Sequence, residues 1–299
     1  MINIYWPVFK NLERQFVDLM FDIHIDDNQI NVYSLKISDL ILRAAIEIES
    51  ISKDLYLIND GTKTQQIKYD EDAIKHLNQL WLLEKKVIII SSPNCYLTNR
   101  VIYPFVKNEK RTGTERLTYK WNNSYQNLKH DRGNSLNFAN VKCLFEIMAA
   151  LFTLNIYFKN EVFNFDVSSQ GIDFPINLGS EIFSINLHGW FGYTGVYEYV
   201  KRNDFDECIY LTKMTNKSVD DHVRIQKEWH IRQNALINKH PKILKYMEKN
   251  KTEKLSFAKA HEVLGQDEYM KIFNQSQSKD FAEVWKKSQY EGVLNKNQI

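Results

Sequence analysis

The sequence of 299 residues predicts a mostly α-helical protein with a small β insertion. Its ten glycines and five prolines are few for this length, whereas sandwiches and barrels need many tight turns. Apolar residues instead recur at helical spacing over long stretches. Hydrophobic residues make up 43% of the chain and charged residues 25%, which suffices to bury one large core or two smaller ones. We therefore expect a helical protein with its strands confined to the middle of the chain.

Five helices are predicted in the first 160 residues. Apolar residues lie three or four positions apart in the ranges 10–24, 34–57, 70–83, 115–131 and 137–159. The fifth range is apolar almost all round, which is typical of a central helix with neighbours on every side. Gly133 is suited to end the fourth helix, and Asn134 or Ser135 to cap the start of the fifth.

Strands are predicted in two places. Residues 85–92, KKVIIISS, form a short β-branched run that ends at Pro93. Residues 161–188 alternate apolar and polar side chains, and we expect a hairpin or small sheet that pairs with the strand at 87–91. Residues 93–115 have no clear period and are expected to form a long surface loop.

These patterns divide the chain into three regions. A helical domain with one short strand occupies 1–160, a small β or irregular region occupies 161–213, and a helical C-terminal region occupies 214–299. The formal net charge is only +2, but it is unevenly distributed. The last region has 16 Lys and Arg against 11 Asp and Glu, and the first two together have 23 against 26. The C-terminal region is therefore the basic part of the chain.

The basic segment KHPKILKYMEKNKTEK contains three candidate RNA-binding residues, Lys242, Lys245 and Lys249. Lysines in such a cluster can neutralise the phosphates of an RNA backbone. A solvated helical face explains the same lysines, and the sequence favours this second interpretation.

Common catalytic and metal-binding motifs are absent from the sequence. It has no phosphate-binding glycine loop, no Rossmann fingerprint, no HExxH and no GxSxG. Cys95, Cys143 and Cys208 are too few and too far apart to form a disulfide framework or a zinc site. We therefore expect no metal, no cofactor and a reducing, cytoplasmic environment.

Residues 141–158 form the one span apolar enough to be considered as a transmembrane helix. Lys142 and Glu146 lie in its first two turns and Asn155 lies near its end, and charges at such depth are costly in lipid. We interpret the span as a buried core helix. The N-terminus has no basic start followed by a long apolar block, so we expect neither export nor a membrane location.

The stretch SYQNLKHDRGNS, residues 124–135, concentrates positive and titratable side chains at the end of the fourth helix. Lys129, His130 and Arg132 complement the helix dipole there, an effect of about 0.3–1 kcal/mol. The same residue types also suit phosphate chemistry, because histidine exchanges a proton near neutral pH and arginine offers a fork of donors to phosphate oxygens. Together they can support metal-independent RNA cleavage, with a base on the ribose 2′-hydroxyl and cations facing the phosphate.

Two residues of the second helix are candidates to complete this site. Arg43 and Glu47 are four residues apart and lie opposite the apolar face of their helix. They join the catalytic candidates if the second and fourth helices pack side by side. An intrahelical ion pair is the alternative explanation for this spacing.

The segments LILRAAIEIESISKDLY and W…SYQNLKHDR…NFANVKCLFEIMAALFTLNIYF resemble the HEPN superfamily over residues 10–160. The resemblance implies a bundle of four or five helices of the kind found in bacterial toxins, abortive-infection systems and other anti-phage defence proteins. It further implies a metal-independent endoribonuclease that acts as a homodimer, with a partner protein in a defence system.

His130 aligns with the histidine of the family's nuclease motif, which has an arginine four to six intervening residues upstream. Asn123, Ser124 and Tyr125 occupy those upstream positions, so Lys129, Arg132 or Arg43 would have to supply the cation. Two functions therefore stay open. The first is an endoribonuclease, and the second is a non-catalytic sensor or dimerisation module that binds RNA, a nucleotide or a protein partner.

Overall fold

The structure is a computed structural model that describes residues 3–165, 173–189, 203–250, 254–277 and 281–297. It confirms the mostly α-helical class. The helices are α1 (Tyr5–Asp22), α2 (Leu35–Ile58), α3 (Ile74–Trp81), α4 (Lys120–Asp131), α5 (Val141–Lys159), α6 (Asn203–Glu207), α7 (Asn216–Lys239), α8 (Pro241–Lys249), α9 (Phe257–Leu264), α10 (Gln266–Ser276) and α11 (Phe281–Lys286). The strands are β1 (Ile25–Asp26), β2 (Ile88–Ile90), β3 (Cys95–Tyr96), β4 (Val101–Ile102), β5 (Glu109–Lys110), β6 (Leu117–Thr118), β7 (Phe163–Phe165), β8 (Phe183–Ile185), β9 (Leu187–Gly189), β10 (Tyr210–Met214) and β11 (Tyr290–Leu294).

Helix α5 is the centre of the N-terminal domain, as its apolar sequence predicts. Fifteen of its 19 residues are buried. Helices α1, α2 and α4 pack against it, and α2 lies between α1 and α4. By length and composition α5 could cross a membrane, but 83% of its most apolar window is buried inside the protein.

Aromatic side chains hold the neighbouring helices against α5. The rings of Phe16 and Phe145 lie 4.7 Å apart between α1 and α5. Trp81 at the end of α3 stacks on Tyr157, with ring centroids 4.4 Å apart and an interplanar angle of 8°. Such pairs contribute about 0.5–1.5 kcal/mol beyond the burial of their surface.

The helix starts follow from side-chain caps. Ser34 accepts a hydrogen bond from the Ile37 N–H at the start of α2, and Asn140 accepts one from Cys143 at the start of α5. The predicted caps Asn134 and Ser135 are wrong, because a 3-10 turn at Leu136–Phe138 separates α4 from α5.

Helix α3 begins with a π-helical turn at Tyr69–Ala73. The Asp72 carboxylate accepts hydrogen bonds from the Lys68 N–H (2.8 Å) and from the Lys63 ammonium (2.6 Å). This wider turn directs Tyr69 towards α4, as described below. Such turns are rare and occur frequently at functional sites.

The strands form small sheets that join distant parts of the chain. The predicted strand near 85–92 is β2, and it pairs with β8, with Ile89 opposite Ser184. The predicted pairing of the 161–188 region with this strand is therefore confirmed through β8, whereas β7 and β8 do not form a hairpin with each other, because β7 belongs to another sheet of order β7-β11-β10-β9. The predicted loop at 93–115 contains the short strands β3, β4 and β5.

The C-terminal helices form a lobe with its own small core. Buried side chains from α7 to α10 meet there, namely Ile237, Ile243, Ala260, Leu264 and Ile272. The chain then returns to the sheet that contains β10, because β11 runs antiparallel to β10, with Tyr290 opposite Met214. The sequence analysis did not predict this final strand.

The buried carboxylate of Glu13 joins α1 to the segment before β8. It accepts hydrogen bonds from the Ser180 hydroxyl and from the backbone N–H groups of Glu181 (3.0 Å) and Ile182 (3.4 Å). The Lys10 ammonium lies 2.5 Å from its other oxygen. These partners compensate the cost of burying a charge, and they fix α1 against the sheet region.

Candidate functional site

The predicted catalytic residues of α4 lie at its exposed end. Lys129, His130 and Arg132 are all exposed, close to the end of α4 at Asp131. The Lys129 ammonium lies 5.2 Å from the centre of the Tyr125 ring, and its contact with Tyr125 raises the pKa of Lys129. His130 has no hydrogen bond or ion pair within the described residues. The structure thus gathers three candidates at one helix end, without a buried hollow around them.

Arg43 and Glu47 do not join these residues. Helices α2 and α4 do pack side by side, but Arg43 is directed towards α1, where it donates hydrogen bonds to Gln15 (3.1 Å) and Asn11 (3.2 Å). Burial raises the pKa of Glu47, and the Arg43 charge opposes this shift. One contact between α2 and α4 is made by Glu49, whose carboxylate accepts a hydrogen bond from Tyr125 (3.0 Å). The prediction of one shared site is therefore corrected.

The predicted RNA-binding lysines all lie on α8. Lys242 forms an ion pair with Glu268 of α10, at 2.9 Å, so that its charge is locally neutralised. Lys245 and Lys249 are exposed and form no ion pair within the described part of the chain. A role in RNA binding stays a prediction for these two residues.

The structure contains a cleft that the sequence analysis missed, here called the α2–α4 cleft. It has a volume of about 290 Å³ and lies between α2, the π-helical turn, the β5–β6 hairpin and α4. Its lining residues are Lys53, Ile67, Lys68, Tyr69, Asp70, Glu71, Arg111, Arg116, Asn122 and Gln126. Four cations and two carboxylates therefore surround a space that approaches the size of small-ligand sites.

A hydrogen-bond chain links the π-helical turn to α4 in this cleft. The Tyr69 hydroxyl donates to the Asn122 side-chain oxygen and accepts from the Gln126 amide (3.2 Å). The Asn122 amide donates in turn to Thr118, at 2.9 Å. Burial, followed by the nearby Asp70 charge, raises the pKa of Tyr69 far above its usual value. Tyr69 is therefore a neutral hydrogen-bond donor rather than a base.

The β5–β6 hairpin brings two arginines to the cleft. The Arg111 N–H donates to the Arg116 carbonyl (2.9 Å), and Gly113 allows the turn between them with its φ of +75°. Asn123 of α4 fixes this turn, because its side-chain oxygen accepts from the Thr112 N–H (2.9 Å) and hydroxyl (3.2 Å). Two like charges facing each other across a hairpin are unfavourable unless an anion lies between them.

Glu71 supplies an anion to Arg116 but not to Arg111. Its two oxygens lie 2.7 Å from Arg116 and 2.7 Å from Lys68. The hydrogen bonds from Lys68 and then Arg116 lower the pKa of Glu71 to about 2. Lys53 and Arg111 have no ion-pair partner within the described residues. The cleft therefore has an excess of positive charge beside neutral hydrogen-bonding groups, a combination suited to a phosphate-bearing ligand.

The sequence carried only a weak signal for this cleft. The segment NEKRTGTER displays both arginines, but its position relative to Lys53 depends on the hairpin and on the packing of α2 against α4. The π-helical turn that places Tyr69 has no sequence signature of its own.

Among the described residues, no three His, Cys, Asp or Glu side chains converge as metal ligands. The three cysteines are buried and free, and burial raises the pKa of Cys95 and Cys208 to about 11.

No family model, no curated protein and no solved structure matches the chain.

Proposed function

We propose that this protein is a HEPN-like module that binds a phosphate-bearing ligand, RNA or a nucleotide, in the α2–α4 cleft. The observation that carries the proposal is the convergence of Lys53 and Arg111, two cations without a carboxylate partner in the described structure, on one cleft. A hydrogen bond between a cation and a phosphate contributes at most about 1.5–3 kcal/mol, and less where the cation is exposed, as Arg111 is.

The remaining lining residues fit the rest of a nucleotide. The Tyr69 ring and Ile67 offer apolar surface to a base or ribose, and Gln126 offers amide groups for hydrogen bonds. The cleft volume of about 290 Å³ is sufficient for about one nucleotide.

The bundle supports the HEPN-like part of the proposal. Helices α1, α2 and α4 surround the apolar α5, which is compatible with a bundle of four or five helices. The non-catalytic interpretation is preferred, because Arg43 donates its hydrogen bonds to Gln15 and Asn11 of α1.

Endoribonuclease activity is the second candidate function, and one observation favours it. His130 lies one helical turn beyond Gln126 on α4, and Gln126 lines the cleft. An RNA strand held in the cleft would thus pass near an exposed imidazole with Lys129 and Arg132 beside it.

Binding is tested with a cleft variant and a matched control. The double variant Lys53→Gln/Arg111→Gln removes one cation from α2 and one from the hairpin. The control Lys36→Gln/Lys110→Gln does the same outside the cleft, at residues paired with Asp22 and Glu115. Affinity for adenosine 5′-monophosphate and for a labelled RNA oligonucleotide is measured by calorimetry and fluorescence anisotropy, and folding by circular dichroism.

We expect the cleft variant to bind at least about tenfold more weakly, since each lost contact is of the charge-assisted type. The control should bind within about twofold of the natural chain, because exposed ion pairs contribute about 1 kcal/mol or less. Equal affinities for the two double variants, or no binding by the natural chain, would refute the proposal.

Catalysis is tested separately by incubating total RNA with the natural protein in the presence of a chelator. Cleavage that His130→Ala abolishes and His230→Ala preserves would support the endoribonuclease. His230 is a suitable control because it is also exposed and lies on a different lobe. Absence of cleavage by the natural protein would leave the binding function alone.

A further inference from the structure

We propose that the α2–α4 cleft selects a terminal phosphate, a phosphomonoester dianion, and that the Glu71 carboxylate occupies the position of this phosphate until the ligand displaces it. This inference rests on the proposed function and names the ligand chemistry of the same site. It applies alike to a free mononucleotide and to the 5′-phosphate of an RNA strand.

The geometry of Glu71 is that of a bound anion. Its two oxygens are each engaged by a different cation, Lys68 on one side and Arg116 on the other, both at 2.7 Å. A phosphate group presents the same fork of two oxygens and adds a third. Glu71 is about one-third exposed, so that its side chain can turn outward without disturbing the core.

The charge balance favours a doubly charged ligand. With Glu71 in place, Lys53 and Arg111 still have no carboxylate partner within the described residues. Once Glu71 moves out, four cations face the cleft and only Asp70 remains among the lining carboxylates. A phosphodiester carries one negative charge, whereas a terminal phosphate carries about two above its second pKa of about 6. The terminal phosphate therefore gains more from this site.

The neighbouring groups hold their charge over the relevant pH range. Lys68 and Arg116 have pKa values raised by Glu71, and the pKa of Glu71 is lowered to about 2. Tyr69 has a raised pKa, and the lining of the cleft contains no histidine. A change in affinity between pH 5 and pH 7 would thus report the second ionisation of the ligand.

The test compares four ligands and two variants of the full chain. The ligands are adenosine 5′-monophosphate, its methyl phosphodiester, and an RNA tetranucleotide with and without a 5′-phosphate. The variant Glu71→Gln removes the internal anion, and Glu115→Gln is the matched control. Glu115 lies next to Arg116 on the hairpin and pairs with Lys110 at 2.6 Å, outside the cleft.

We expect adenosine 5′-monophosphate to bind about tenfold more tightly at pH 7 than at pH 5, as its dianion forms, and the methyl diester to show no such change. Glu71→Gln should raise affinity about three- to tenfold, because the competing ion pairs are of the exposed kind. Glu115→Gln should change it less than twofold. If the 5′-phosphorylated tetranucleotide binds more tightly than adenosine 5′-monophosphate, an RNA end is the preferred source of the phosphate.

The two proposals fail in different ways. Equal affinity for the monophosphate and the methyl diester, or an unchanged or weaker affinity in Glu71→Gln, would overturn the terminal-phosphate inference. In that case, binding that still depends on Lys53 and Arg111 would leave the proposed function standing. Absence of binding for every ligand would overturn both.

Discussion

Asn123 controls the cleft without lining it, which makes it the most informative position to change. Its side chain is 4% exposed, and its oxygen accepts two hydrogen bonds from Thr112. Asn123→Leu keeps the size and removes both bonds, each of which contributes about 1 kcal/mol net. We therefore expect the opening free energy of the β5–β6 hairpin to fall by about 2 kcal/mol, which corresponds to an open population about 30 times larger.

Hydrogen exchange over residues 109–118 measures this opening directly. Affinity for adenosine 5′-monophosphate should decrease in the same variant, because Arg111 is no longer held beside Lys53. Asn123→Asp retains the acceptor oxygens and should exchange close to the natural rate. Unchanged exchange in Asn123→Leu, or faster exchange with unchanged affinity, would refute the claim that α4 positions the arginines through this residue.

Three further outcomes follow from the fold. Glu13→Ala leaves the Ser180 hydroxyl and the Glu181 N–H without their acceptor and removes one of the two carboxylate partners of Lys10, so urea titration should show a loss of about 2–5 kcal/mol in the free energy of unfolding. Asn140→Ala removes the cap of α5 and should cost about 1 kcal/mol in the same assay, whereas Asn140→Asp should not. Cys95 and Cys208 have pKa values of about 11 instead of 9, so their protonated forms are favoured by folding. The free energy of unfolding should therefore fall as pH rises from 9 to 11, and iodoacetamide should label both thiols at pH 8 only after unfolding.

The helices could be predicted because their signals are local. The apolar period of α2 and the cap at Ser34 lie within a few residues of each other, and the structure begins the helix at Leu35. The same period placed Arg43 and Glu47 opposite the apolar face. It contains no information on which neighbour covers that face, and α1 does so through Asn11.

Strand partners and the cleft depend on contacts between distant segments. Strand β7 follows α5 directly, yet it pairs with β11 at the far end of the chain, and no local pattern encodes that choice. The cleft combines Lys53, the turn after Lys68, the hairpin arginines and Gln126. In the sequence these are ordinary polar residues far apart along the chain. Only the packing of the helices and the hairpin brings them to one cleft.

The C-terminal helices leave and re-enter the β7-β11-β10-β9 sheet at adjacent points, since Met214 and Tyr290 face each other across neighbouring strands. A two-residue turn is enough to connect an antiparallel pair at that position. The segment between β10 and β11 could thus be inserted, lost or replaced as one unit. The sheet and the residues that line the cleft would keep their positions. Changes in the C-terminal helices can therefore alter the surface available to other molecules without altering the residues that line the α2–α4 cleft.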